Sequence, residues 1–219
     1  MSNLSVIEQF MFDEEFFSFG AMLADTAKNK ITLAKGGEIS SRQNNSQVYF
    51  YAKDFYTNNY TFYYPKEIIE LPLNEVIDYF KRFKETPEVS ESINYDHLYE
   101  KDFNAFKNSL GTLEKVVLIS REEFTVKNYK AAIKHFFYSA LNFGTGYPYG
   151  YWNEDTGILG ATPELLFELN EKELYTFALA GTAKIEDGQF LIKSSKDLHE
   201  HNIVVDDIKE KLSPFCGDI

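Results

Sequence analysis

Four groups of residues in this chain of 219 residues have types and spacings that could do chemistry. Lys115 leads the apolar run Val116-Val117-Leu118-Ile119. A lysine at the entry to a buried strand is either a solvent-facing edge residue or, partly desolvated, a general base, because burial disfavours the ammonium form. Glu164 follows the turn-rich Gly160-Ala161-Thr162-Pro163 and precedes Leu165-Leu166-Phe167, which sets one carboxylate at the mouth of a core. Its structural alternative is a first-turn helix acid offsetting the dipole. Asp197 and Glu200 lie three apart, so on a helix they share a face. Two carboxylates in that relation suit a hard cation such as Mg2+, which takes few protein oxygens, or they are solvated acids at a helix start. Ala180-Gly181-Thr182 reads as a close backbone approach to a ligand or as a plain turn. His199 and His201 are two apart and diverge on a helix, which argues against a paired zinc site. No P-loop, dinucleotide fingerprint or nucleophile elbow occurs.

The elements that must position these groups can be read from periodicity. Residues 4–12 read as a short amphipathic helix, 16–23 as an aromatic strand and 30–34 as a second strand, broken by Gly36-Gly37. A polar loop over 40–47 leads to Tyr/Phe-rich strands at 48–55 and 60–64. Val76, Ile77, Phe80 and Phe83 predict a helix over 73–83. The polar stretch 85–94 reads as a connection. A helix over 95–110 should bury Leu98, Phe103, Phe106 and Leu110 and stop at Gly111. Residues 116–119 read as a strand buried on both faces. Residues 126–141 read as a helix with Ala131, Ile133, Phe136, Phe137 and Ala140 inward. Strands at 147–152 and 157–159 flank a hairpin turn at Asn153–Thr156. Further strands are predicted at 165–169 and 174–179. The last helix runs from Ser195 to Leu212, with Ser194 and Asp197 resembling a capping box.

Bulk numbers bound the class. Hydrophobic residues make up 44% and charged residues 26%, with 20 Phe and 15 Tyr, so a sizeable core or covered sheet is expected. A formal charge of -12 argues against a nucleic-acid or anionic-membrane partner, though a local lysine or a metal can reverse the field in one pocket. Cys216 is the only cysteine, so no disulfide forms within the chain. With no cationic leader before an apolar run and no membrane-length apolar stretch, a cytoplasmic location is expected.

Order and combination add what single signals lack. Lys-Val-Val-Leu at 115, Gly-Ala-Thr-Pro-Glu-Leu at 160, Ala-Leu-Ala-Gly-Thr-Ala at 178 and Ser-Lys-Asp-Leu-His-Glu-His at 195 together resemble the chorismate-utilising enzymes from about Leu113 to Leu212. The family includes isochorismate, salicylate, anthranilate and aminodeoxychorismate synthases. The resemblance implies an α+β fold of stacked, mainly antiparallel sheets covered by helices, of the anthranilate synthase component I kind. It further implies that Lys115 activates water for attack at C2 of chorismate and that Glu164 protonates the departing C4 hydroxyl. Lys115 must be unprotonated when it takes the proton, and Glu164 protonated when it gives one. Glu200 would ligate Mg2+, which holds the ring carboxylate, with Asp197 beside it or bound through water. Ala180, Gly181 and Thr182 would line the substrate site. A lysine at 115 and Ala180 before Gly-Thr favour water over ammonia as nucleophile, and the sequence around His199–His201 favours isochorismate over salicylate as product.

Members of this family continue well beyond the position matching Ile219. The expectation is therefore a single chorismate-binding domain, incomplete at its C-terminal end, with residues 1–90 a less specific sheet portion and 95–219 the part bearing the motifs. Little turnover is expected from the 219-residue chain alone, and self-association through uncovered surface is expected. The competing class is a binding or regulatory module that keeps the fold without turnover.

Overall fold

The computed structural model describes residues 7, 10, 14–44, 48–53, 59–81, 89–94, 96–109, 111, 122–142, 144 and 146–219. The chain divides into two compact units. Unit 1 comprises residues 1–92 and 124–163, and unit 2 comprises residues 93–123 and 164–219. Both contain helices and antiparallel strands, so the chain is α+β.

Unit 1 contains, in chain order, helix α1 (Glu14–Ser18), strands β1 (Gly20–Asp25), β2 (Lys30–Lys35), β3 (Glu38–Ser40), β4 (Phe50–Lys53), β5 (Tyr60–Tyr64) and β6 (Glu67–Pro72), and helix α2 (Leu73–Phe80). After β7 (Val89–Asn94), helix α3 (Asp96–Ser109) of unit 2 and β8 (Glu122–Val126), it resumes with α4 (Tyr129–Leu141), β9 (Tyr147–Trp152) and β10 (Gly157–Thr162). The main sheet is antiparallel throughout, in the order β10-β9-β1-β2-β6. Because side chains alternate along a strand, Met22, Ala24, Ile31 and Leu33 enter one core while Ala21 and Ala34 enter another on the opposite face. The first core is filled by Phe16 and Phe17 of α1, Val76 and Phe80 of α2, and Ile133, Phe137 and Leu141 of α4. The second packs Tyr63, with Phe50, from a three-stranded sheet of order β3-β5-β4.

Trp152 and Phe137 centre the larger core. The Trp152 ring meets Phe16 edge-on at 5.1 Å and Phe137 at 6.1 Å, and Phe137 lies 5.0 Å from Phe80. The indole N–H donates to the Phe16 carbonyl at 2.7 Å, so the ring buries no unsatisfied polar atom. Burial of each such side chain is worth about 1.5–3 kcal/mol. Lys35 is the exception in this apolar setting. Its ammonium sits 3.5 Å from a Glu67 carboxylate oxygen and 5.1 Å from the centre of the Phe10 ring.

Several sequence expectations are met. The hairpin of β9 and β10 pairs Trp152 with Gly157, and the Asn153 side chain closes its turn by accepting from the amides of Asp155 and Thr156. Strands β2, β4 and β5 and helix α2 fall where predicted, and Ile7 and Phe10 are helical and buried. Others are corrected. Residues 16–18 complete the helix α1 rather than start a strand, because Phe16 and Phe17 are held by the aromatic core rather than by a sheet partner. Strand β6 was not foreseen, and 89–94 is a strand, not a loop. The segment expected to be helical from 126 begins with β8. Its helix starts only at Tyr129, where the Asn128 side chain caps the Ala131 amide. Its buried face is Ala132, Ile133, Phe137 and Leu141, which leaves Phe136 47% exposed. In α3, Phe103 and Phe106 are exposed rather than inward. The predicted strand at 116–119 lies outside the described residues.

Unit 2 contains α3 and, after Pro163, strands β11 (Glu168–Asn170) and β12 (Glu173–Tyr175), a 3-10 turn (Ile185–Asp187), α5 (Gly188–Leu191) and α6 (Ser195–Leu212). The β11–β12 hairpin turns at Glu171, whose φ is 54°. None of the described side chains of unit 2 is buried. Among the described residues no helix is long and apolar enough to cross a membrane.

Candidate functional site

The predicted site residues belong to unit 2. Helix α6 has the bounds expected from the sequence, and its cap is present: the Ser194 hydroxyl accepts from the Asp197 amide at 3.2 Å. Along this helix Asp197, Glu200, His201, Ile203, Val204, Val205, Ile208 and Leu212 are half-buried, while Leu198, His199, Asn202 and Lys209 are exposed. Within that set Asp197, Glu200, Val204, Ile208 and Leu212 follow one another at three or four residues. Asp197 and Glu200 therefore share the less exposed stripe with the helix's aliphatic residues. His199 and His201 point to different faces.

Gly181 is brought to the start of this helix. Its φ is +77°, a conformation that favours glycine, and a Cβ placed there would lie 3.3 Å from Leu191 Cδ2 and 3.8 Å from Asp197 Oδ1. Ala180-Gly181-Thr182 thus runs past Asp197 as backbone outside any helix or strand. The segment before it alternates strictly, with Leu174, Thr176, Ala178 and Ala180 half-buried and Tyr175, Phe177 and Leu179 exposed. The Thr176 hydroxyl ties it to the Leu166 carbonyl at 2.8 Å.

Glu164 is exposed and stands in a non-helical stretch over 163–167, so it does not open a helix. Its approach is built by the end of β10, where Thr162 pairs with Tyr147. Gly146, at φ +86°, lies flush against this end, since a Cβ there would meet the Thr162 carbonyl oxygen at 2.2 Å and Pro163 Cα at 2.9 Å. Thr26 holds Gly146 in turn, its amide and hydroxyl both donating to the Gly146 carbonyl at 3.2 and 2.9 Å. Two residues back along the strand, the Tyr149 phenol lies across Gly160, 3.0 Å from where a Cβ would stand. Lys115 lies outside the described residues.

Thr26, Gly146 and Tyr149 were not singled out by the sequence. The Gly-Thr-Gly of residues 144–146 is a turn signal, but nothing local announces a threonine that bonds 120 residues away. A groove of about 550 Å3 in unit 1, lined by Tyr49, Phe50, Tyr51, Tyr149 and Tyr151 with Lys53, contains none of the predicted site residues.

Among the described residues no three His, Cys, Asp or Glu side chains are grouped to hold a metal. Asp197 and Glu200 offer two carboxylates on one stripe of α6. That donor set fits a cation such as Mg2+, which takes one or two carboxylates and completes its shell with water and substrate oxygens.

A family model described as chorismate binding enzyme matches residues 67–219, well over half of the chain. The chain belongs to the chorismate-binding enzyme family. Curated members resemble it over shorter stretches. A salicylate biosynthesis isochorismate synthase of Pseudomonas aeruginosa is 46% identical over 66 residues, 26% of this chain and 14% of that protein. An isochorismate synthase of Bacillus subtilis is 39% identical over 67 residues, 27% of this chain and 17% of that protein. A vibriobactin-specific isochorismate synthase of Vibrio cholerae is 32% identical over 75 residues, 31% of this chain and 19% of that protein. The matches span about a fifth or less of these relatives' lengths. The family match takes in β6, β9, β10 and all the candidate site residues.

Proposed function

We propose that the chain carries the acid, the base and the first metal-binding helix of an isochorismate synthase. The reaction converts chorismate to isochorismate by adding water at C2 with loss of the C4 hydroxyl. The observation that carries this reading is the stripe of α6 on which Asp197 and Glu200 stand, with the Gly181 backbone alongside Asp197, in a chain whose family is chorismate-binding. Lys115 takes a proton from the attacking water, and Glu164 delivers one to the leaving hydroxyl. Ala180, Gly181 and Thr182 line the substrate. Glu200, with Asp197 beside it, would hold Mg2+, which when bound would neutralise the substrate's ring carboxylate that a chain of formal charge -12 would otherwise repel.

We read the 219-residue chain as part of a larger fold of stacked sheets, with little turnover by itself and a tendency to self-associate. The exposed Leu166, Ile185 and Phe215 of unit 2 support that reading. The test is an assay with chorismate and Mg2+ on the polypeptide of the complete reading frame, beside Lys115→Ala and Glu164→Gln. Each substitution should lower kcat by about 10²–10⁴-fold. A rate within a few-fold of the parent in both would end the role assignment. Robust isochorismate formation by the 219-residue chain would end the claim that it is incomplete.

A further inference from the structure

We propose that Thr26 is a positioning residue for Glu164, acting through the carbonyl of Gly146. The inference rests on the reading of Glu164 as the general acid.

The chain reaches Glu164 through Thr162 and Pro163, and its freedom there is small. A proline fixes its own φ, and the residue before a proline is confined to extended conformations. What remains is mainly the ψ of Pro163, together with the placement of the Thr162–Pro163 peptide itself. Strand pairing gives part of that placement, since among the described residues β10 pairs with β9 along its length. Gly146 supplies the second support. Its backbone lies so close to the Thr162 carbonyl and to Pro163 Cα that no side chain could stand between them.

Gly146 is in turn fixed from the middle of the sheet. Thr26 follows directly on β1 and opens the turn that joins it to β2, where the Asn29 amide donates to the Thr26 carbonyl. Both Thr26 donors converge on the one Gly146 carbonyl, which has two lone pairs to receive them. The path therefore runs from β1, past β9, to the end of β10. Thr26 is half-buried at a turn, so loss of its hydroxyl removes a tether and little packing.

The experiment uses the polypeptide of the complete reading frame with chorismate and Mg2+. Thr26→Val keeps the volume and the amide donor and removes the hydroxyl. It should lower kcat about 10-fold or more with KM within about twofold, as misplacement of a catalytic group does. Thr26→Ser, which restores the donor, should recover kcat to within about twofold. On the Glu164→Gln background Thr26→Val should slow turnover no further, because a positioning residue has no acid left to place. Hydrogen exchange of peptides covering 146–152 and 157–164 gives a second measure, with faster exchange expected in Thr26→Val and parental exchange in Thr26→Ser. The inference is overturned if Thr26→Val leaves both kcat and exchange unchanged, or slows the Glu164→Gln enzyme by its full factor. If Glu164→Gln itself turns over within a few-fold of the parent, the acid assignment is what fails, and the positioning role falls with it.

Discussion

Unit 1 and unit 2 carry similar local signals and differ in what those signals rest on. In unit 1 the aromatic side chains find partners: Phe16, Phe80, Phe137 and Trp152 close on one another, and Tyr63 fills the opposite side of the sheet. In unit 2 the cap of α6, the hairpin of β11 and β12 and the Thr176 tie are all present, yet no described side chain is buried. Local hydrogen bonds give an element its shape, whereas burial gives it resistance to opening. The stable part of the chain is thus the part without the candidate acid and metal ligands, and those ligands stand on elements shaped by caps and turns.

Hydrogen exchange offers the largest contrast. Amides of β1, β2 and β9 should exchange about 10²-fold or more slowly than those of β12 and α6. Comparable protection in both would remove the distinction between the units.

Substitution comes next. Phe137→Ala should cost about 3–5 kcal/mol by denaturant unfolding, while Leu166→Ala, at a side chain 81% exposed, should stay within about 0.5 kcal/mol. A large loss at Leu166 would mean that unit 2 is packed in solution.

Alkaline stability sharpens the account of unit 1. The Tyr63 hydroxyl donates to the Gly36 carbonyl at 2.8 Å, and burial, aided by the negative charge of Glu15, pushes its pKa well above the ordinary tyrosine value. The unfolded chain ionises this phenol from about pH 10, so above that pH it binds fewer protons than the folded state. Stability from Tyr63 is fully present below about pH 10 and is lost as pH rises beyond it, by at most about 1.4 kcal/mol per pH unit. Tyr63→Phe should flatten that decline in urea titrations between about pH 9 and 11. An equal slope in parent and variant would refute the burial argument.

Ser194→Ala gives a small and local effect. It should cost about 1 kcal/mol of α6 stability, read as faster exchange in the first turn of the helix. The amides of β9 should not respond.

What was legible in the sequence follows the same division between local and distant causes. Helix α6 and the Asn153 turn were readable because Ser194 and Asn153 act on amides two or three residues away. The motifs around Glu164, Gly181 and Glu200 were readable for a similar reason, as short runs of fixed type. Residues 16–18 differ from the expected strand because aromatic pairs favour strands on propensity, and only Trp152 and Phe137, far along the chain, decide for the helix. The inward face of α4 holds at Ile133 and Phe137 and fails at Phe136 for a like reason: Phe136 and Phe137 are equal in type, and the packing chooses between them. Thr26 shows the limit most plainly, since its partner is a glycine carbonyl that no side-chain pattern can mark.

Trp152 has a practical meaning as well. It is the sole indole in the chain, enclosed by Phe16 and Phe137 with its N–H engaged. Its emission is therefore a built-in optical probe of unit 1 alone. A melting curve followed at that wavelength will record the collapse of the aromatic core and stay silent while α6 frays. Light from this one ring can report a well-folded protein whose candidate acid and metal ligands have already lost their order.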